Sequence, residues 1–142
     1  TAAFVKAMKK AGQNPMFMTL SPVGTEQLVP ELGPEARGIG ISQVVPYPWN
    51  DAAPAVREYQ KLVAKPATYS YYGMEGYLMA KTMIEGLKRA GKELTRDKLV
   101  TSLESMNGAD LGGYRINYGP NTRLGSRFVE LTVIGQGGKI LK

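Results

Sequence analysis

From Ser70 to Gly91 the apolar residues keep a helical step: Tyr77, Ala80, Ile84 and Leu87 follow at three or four positions, and Met83 and Ala90 widen the stripe. The spacing predicts a helix with that face buried. Lys81, Glu85 and Arg89, four apart, form a charged ladder expected to be solvated. Ser70 is placed to cap the first turn, and Gly91 to take the left-handed position that closes the last. Tyr69, Tyr71 and Tyr72 crowd the helix N-terminus, where unpaired N–H groups and partial positive charge suit an anion. Three tyrosines there can build an amphipathic pocket wall or simply pack.

Other periodicities fill in the chain. Phe4, Val5 and Met8 predict a helix over Ala2 to Ala11, closed by Gly12. Pro15 to Leu20 is a short apolar run that reads as a buried strand, ended by Ser21-Pro22-Val23-Gly24. Thr25 is placed to cap a short helix through Leu28 and Leu32, which Gly33-Pro34 stops. Ile39, Ile41, Val44 and Val45 mark a second buried strand over Gly38 to Val45. Two short strands separated by a helix argue for a parallel α/β layer, whose ligand crevice lies at the loops after the strands, here Ser21 to Gly24 and Val45 to Trp49.

Pro46-Tyr47-Pro48-Trp49 forbids a helix and fixes an extended path, read as a crossover between lobes. Asn50 or Asp51 is a candidate cap for a helix that takes Pro54 in its first turn and buries Val56, Tyr59, Leu62 and Val63. Thr95 caps another helix through Leu99, Val100, Leu103 and Met106, ending near Asn107-Gly108. Tyr114 to Tyr118, Phe128 to Ile134 and Lys139 to Leu141 read as strands, antiparallel because tight turns join them.

Composition then removes whole classes of chemistry. The 142 residues include no cysteine and no histidine, which excludes disulfides, thiolate and imidazole metal ligands, thiol nucleophiles and a Ser-His-Asp triad. An α/β enzyme would have to use carboxylates such as Asp51, Glu75 and Asp110, which show no paired spacing. Of the net charge of +6, the larger part, +4, lies in Leu111 to Lys142, where Arg115, Arg123, Arg127, Lys139 and Lys142 face only Glu130. These are scattered through strands and turns, without the basic run or glycine-aromatic pattern of a nucleic-acid surface. No apolar run has bilayer-spanning length, and Thr1 to Gly12 lack the charged-then-apolar order of a signal peptide. The chain begins within a helix and without an initiator methionine, as expected of a mature protein or an excised piece.

The order of segments, SPVG, GIGISQVVPYPW, SYYGMEGYLMAKTMIEGLKRAG, TRDKLVTSLESM and GGYRINYGPNTRLGSRFVELTVIGQGGKILK, resembles the carboxyl-terminal part of the type I periplasmic binding proteins. More narrowly, it is similar to the branched-chain amino-acid-binding proteins of ABC transporters. The resemblance covers essentially the whole chain. It implies part of a two-lobed α/β fold, with parallel sheet layers flanked by helices and antiparallel strands at the C-terminus. Residues 1–43 would end the second lobe, 44–49 cross the hinge, 50–120 form a helical portion of the first lobe, and 121–142 return through the hinge.

The implied activity is capture of a small solute between lobes for an ABC transporter permease, outside the cytoplasm, with no cofactor and no catalysis. A ligand-sensing domain of the same fold is the alternative. Implied partners are the ligand, a missing N-terminal segment of the same protein, and the permease. By resemblance, the loop Ser21 to Gly24 would supply an acid to pair with an amino-acid ammonium, yet Val23 stands there. Tyr72, or its neighbour Tyr71, matches the aromatic that packs on the ligand. Ser21 can donate to the ligand or serve only as a turn residue before Pro22. Tyr47 is a further candidate contact, Trp49 is read as packing, and Glu75 either complements the helix dipole or meets the ligand.

Overall fold

The computed structural model describes every residue from Thr1 to Lys142. In chain order the elements are α1 (Ala2–Lys10), β1 (Met18–Leu20), α2 (Thr25–Leu32), β2 (Gly40–Gln43), α3 (Pro54–Val63), α4 (Tyr71–Ala90), α5 (Arg96–Glu104), β3 (Asn107–Asp110), β4 (Arg115–Asn117), β5 (Glu130–Ile134) and β6 (Ile140–Leu141). They form two compact units, one of Thr1–Val45 with Val129–Lys142 and one of Pro46–Phe128.

The first unit is built on a four-stranded sheet in the order β1-β2-β5-β6. β1 runs parallel to β2, with Met18 opposite Gly40, while β5 is antiparallel to both β2 and β6. Strand alternation sends Ile41, Thr132 and Ile134 to one face. There α1 and α2 cover them through Ala2, Val5, Leu28 and Leu32. The other face carries Met18, Leu20, Leu131, Val133 and Leu141, all exposed. Pro15 to Leu20 was expected to be a buried strand. Only Met18–Leu20 is a strand, it lies at the sheet edge, and Met18 and Leu20 are 57% and 67% exposed. The apolar run is real; no layer within this unit lies against it.

The second unit is helical apart from the β3–β4 hairpin. The caps of α4 and α5 form as expected: the Ser70 hydroxyl accepts from the Gly73 N–H at 2.9 Å, and the Thr95 hydroxyl from the Lys98 N–H at 3.2 Å. Gly91 closes α4 through its N–H on the Leu87 carbonyl at 3.3 Å, but with φ 78° and ψ −166° it does not take the expected left-handed helical position. α3 begins differently. Its N-cap is Ala53, and Asn50 instead accepts from the Ala52 N–H, so neither Asn50 nor Asp51 caps the helix.

The buried side of α4 is not the one its apolar spacing suggested. Tyr71, Met74, Leu78, Thr82 and Gly86 are buried, whereas Met83, Ile84 and Leu87 are exposed. Small residues decide this. A Cβ on Gly86 would stand 2.6 Å from Leu103 Cδ2, so glycine lets α5 close on α4, and the Ser102 hydroxyl then donates to the Gly86 carbonyl at 2.7 Å. Asn107-Gly108, expected to end α5, instead opens the first strand of the hairpin, and α5 stops at Glu104. The Asp110 carboxylate accepts from the Gly112 and Gly113 N–H groups at 2.9 and 2.6 Å, and this closes the turn that β3 needs.

Candidate functional site

Two groups of residues fall at the places where the sequence points to ligand contact, one in each unit. In the second unit the extended Pro46–Trp49 segment is tied to α3, because Gln60 Nε2 donates to the Pro48 carbonyl at 2.9 Å. This brings Tyr47 and Trp49 onto the first turn of α4. Tyr71 meets Trp49 edge-on with ring centroids 5.8 Å apart and Tyr47 at 6.3 Å, while Tyr47 and Trp49 are 5.0 Å apart. Tyr71 is buried beneath the other two, which keep part of their surface open. Glu75, half-buried, lies one helical turn on from Tyr71.

Tyr72 is 43% exposed and shares a stripe of α4 with Met79, Met83 and Leu87. Of the aromatics expected at the site, the structure gathers Tyr47 and Tyr71 and adds Trp49 to them. Behind the cluster, Tyr59 orders the entrance of α4: its hydroxyl accepts from the Ser70 N–H at 3.2 Å, and its ring packs against Tyr69 and Tyr77. Gly73 has no room for a Cβ beside the Tyr59 hydroxyl.

A polar clamp then joins α3 to α4. Tyr77 donates to Glu58 at 2.6 Å and Lys81 bonds the same carboxylate oxygen. The hydrogen bond from Lys81, then that from Tyr77, holds the Glu58 carboxyl below its ordinary pKa. Burial, then donation to Glu58, raises the Tyr77 phenol. For Lys81 burial acts downward, but the bonds to Glu58 and Tyr77 outweigh it and the ammonium is raised. All three shifts favour the clamp as it stands. It is an exposed structural tie and holds no group poised for proton transfer.

In the first unit Ser21 and Val23 occupy the β1–α2 loop. The Val23 N–H closes the turn on the Leu20 carbonyl at 3.0 Å, and its side chain packs against the core of α1, α2 and the sheet. An isopropyl group there can neither accept from an ammonium nor balance its charge. Ser21 is half-buried.

Sequence reasoning missed what secures this loop. Gln43 Nε2 approaches the hydroxyls of Thr25 and Thr132 at 3.5 and 3.4 Å, and Thr132 donates to the Ile41 carbonyl at 3.1 Å. All three side chains are buried. Thr25, read as a helix cap, is the first residue of α2 and follows the N-cap Gly24. The available signal was a glutamine within a strand of otherwise apolar, buried character.

The arrangement offers aromatic and apolar surface with hydroxyl and backbone donors, and no three His, Cys, Asp or Glu side chains are grouped so as to hold a metal ion. No helix is long and apolar enough to cross a membrane. Comparison with known proteins agrees with a binding fold. No curated protein matches. A possible leucine/isoleucine/valine-binding protein from Rhodopirellula baltica SH 1 superposes with a TM-score of 0.87 at 28% identity, covering 99% of this chain and 39% of its own. An extracellular ligand-binding receptor from Verminephrobacter eiseniae ef01-2 superposes with a TM-score of 0.84 at 33% identity, covering 99% and 41%. A branched chain amino acid ABC transporter from Thermus thermophilus with bound valine shares the fold, with a TM-score of 0.73 at 18% identity over 99% and 41%. The chain thus spans about two fifths of the length of these relatives. The model of the periplasmic binding proteins matches residues 1–139, and the chain belongs to that family, with an α/β structure covering a portion of the type I fold.

Proposed function

We propose that this chain is the carboxyl-terminal part of a protein that captures a small solute outside the cytoplasm and delivers it to an ABC transporter permease, performing no chemistry on it. In this reading Val44–Trp49 is a hinge crossing, and the chain returns to the first unit through a second crossing before β5. Tyr47 contacts the apolar body of the solute, held in place by the buried Tyr71 ring beneath it, with Tyr72 and Glu75 as further contacts. The observation that carries the reading is the partly open aromatic cluster at the capped start of α4, in a chain of this family.

Val23 narrows the solute. Burying an ammonium without a counter-charge costs several kcal/mol, so the solute is an aliphatic or aromatic carboxylate and not an ordinary zwitterionic amino acid. Calorimetry on the product of the complete gene, with leucine set against such acids, tests this. Preference for the acids is expected, and tight leucine binding without contact from another acid such as Glu75 would sink it. Tyr71→Ala or Tyr72→Ala should weaken binding by about 1–3 kcal/mol, and more than Trp49→Ala does. A folded variant of either tyrosine with unchanged affinity removes that residue from the site. Sensing is the second reading, favoured by the likeness to an extracellular ligand-binding receptor.

A further inference from the structure

The first unit has a concavity at the end of its sheet away from the candidate site. β5 is antiparallel to β2, with Gly40 opposite Val133 and Gln43 opposite Glu130, so the residues that precede β2 lie beside those that follow β5. The Gly38 N–H donates to the Ile134 carbonyl at 2.8 Å and fixes the two together. β1 is parallel to β2, so the Ser21–Gly24 loop that follows it lies at the other end, at least about 10 Å along the strands.

Short residues leave this end hollow. The chain leaves α2 through Gly33 and Pro34, and it leaves β5 through Gly135–Gly138, where Gly137 and Gly138 hold φ at 67° and 79°. Val29 of α2 reaches across to Gly138, where a Cβ would stand 2.5 Å from Val29 Cγ1. Between the two segments lies a cleft of about 630 Å³, of the size that holds a small organic molecule. Val29 and Pro34 make its walls apolar, Gln136 offers one amide, and Arg37 is its one charged group. Arg57, Arg89 and Arg123 spend their guanidinium groups on carbonyls or carboxylates of the protein, whereas Arg37 has no such partner. The Lys9 ammonium donates to the Glu35 carbonyl at 2.7 Å and brings a second cation to this end.

We propose that this cleft is a second ligand site, for a small organic carboxylate: the acid pairs with Arg37, and the apolar body lies against Val29 and Pro34. A planar guanidinium matches a carboxylate through two parallel hydrogen bonds. The site selects against a zwitterion, because no acid lines the cleft to balance an ammonium. It is separate from the site proposed for the transported solute, and either can exist without the other.

Benzoate titrated into the nitrogen-15-labelled product of the complete gene, read through its amide signals by NMR, tests this. Saturable shifts of the Gln136, Gly137 and Gly138 amides are expected, with a Kd of about 1 mM or tighter. Arg37→Gln, at an exposed position, should weaken that binding at least about tenfold and leave any response of the Trp49 indole N–H unchanged. Gln136→Trp, also at an exposed position, should obstruct the cleft and abolish the same shifts with the charge intact. No saturable response in the Gly135–Gly138 turn up to about 20 mM benzoate overturns the proposal. So does an Arg37→Gln variant that binds within about threefold of the parent, or inorganic phosphate binding as tightly as benzoate. Shifts confined to the Trp49 indole and the Ser21–Gly24 amides would support the solute reading alone and overturn this one, whereas shifts confined to the turn and removed by Arg37→Gln would support this one alone.

Discussion

The sheet of the first unit and the long helix of the second are both two-sided, and they bury their sides by different rules. In the sheet, alternation makes both faces apolar, and α1 and α2 choose between them by landing on the Ile41–Thr132–Ile134 side. In α4 the side that is buried is not the most apolar one but the one with small residues, where Thr82 and Gly86 admit α5. Met79, Met83, Ile84 and Leu87 are left exposed. The lesson is that hydrophobicity qualifies a surface for burial, whereas close approach decides which partner reaches it.

The sharpest way to break this comparison is to truncate a methionine on each side of α4. Met74 is fully buried, so Met74→Ala should destabilise the second unit by about 2–5 kcal/mol, while Met79→Ala, 67% exposed, should change stability by less than about 0.5 kcal/mol in this chain. Urea unfolding followed by circular dichroism checks it. Equal losses at the two positions would show that the exposed stripe is already covered.

A smaller effect is expected on the sheet's covered face. Thr132→Val keeps the shape but removes a partner of the buried Gln43 amide, with an expected cost of about 1–3 kcal/mol. Leu131→Ala, one residue away on the bare face, should cost much less. If the two variants unfold alike, the faces are not as unequal as described.

The smallest effect is the pH response of the α3–α4 clamp. Glu58 has its carboxyl pKa lowered by Lys81 and Tyr77, so its contribution is full above the ordinary carboxylate pKa and is lost as pH falls through the lowered value. The raised Lys81 works in the other direction, contributing fully below the ordinary lysine pKa and losing that contribution as pH rises through its own. Glu58→Gln should flatten the acid limb of the urea midpoint against pH and leave neutral stability nearly unchanged, since exposed ion pairs contribute little. An unaltered acid limb would remove the clamp from the titration.

How much was legible follows from the range of the interactions. The caps at Ser70 and Thr95, the closing Gly91 and the break at Pro46–Pro48 act within a few residues, and the sequence alone determined them. So did the α-then-β order of the first unit, because hydrophobic period is a local property. The aromatic types at the candidate site were legible as well. That Tyr71 meets Tyr47 and Trp49 required the helix phase and the path of the Pro46–Trp49 segment. Only the tertiary structure decided which face of α4 is buried, where β3 pairs, and that Thr25, Gln43 and Thr132 meet across separations of 18 and 89 residues. Such contacts depend on which surfaces fit together in space, and a periodic pattern along one segment carries no record of the segment that packs against it.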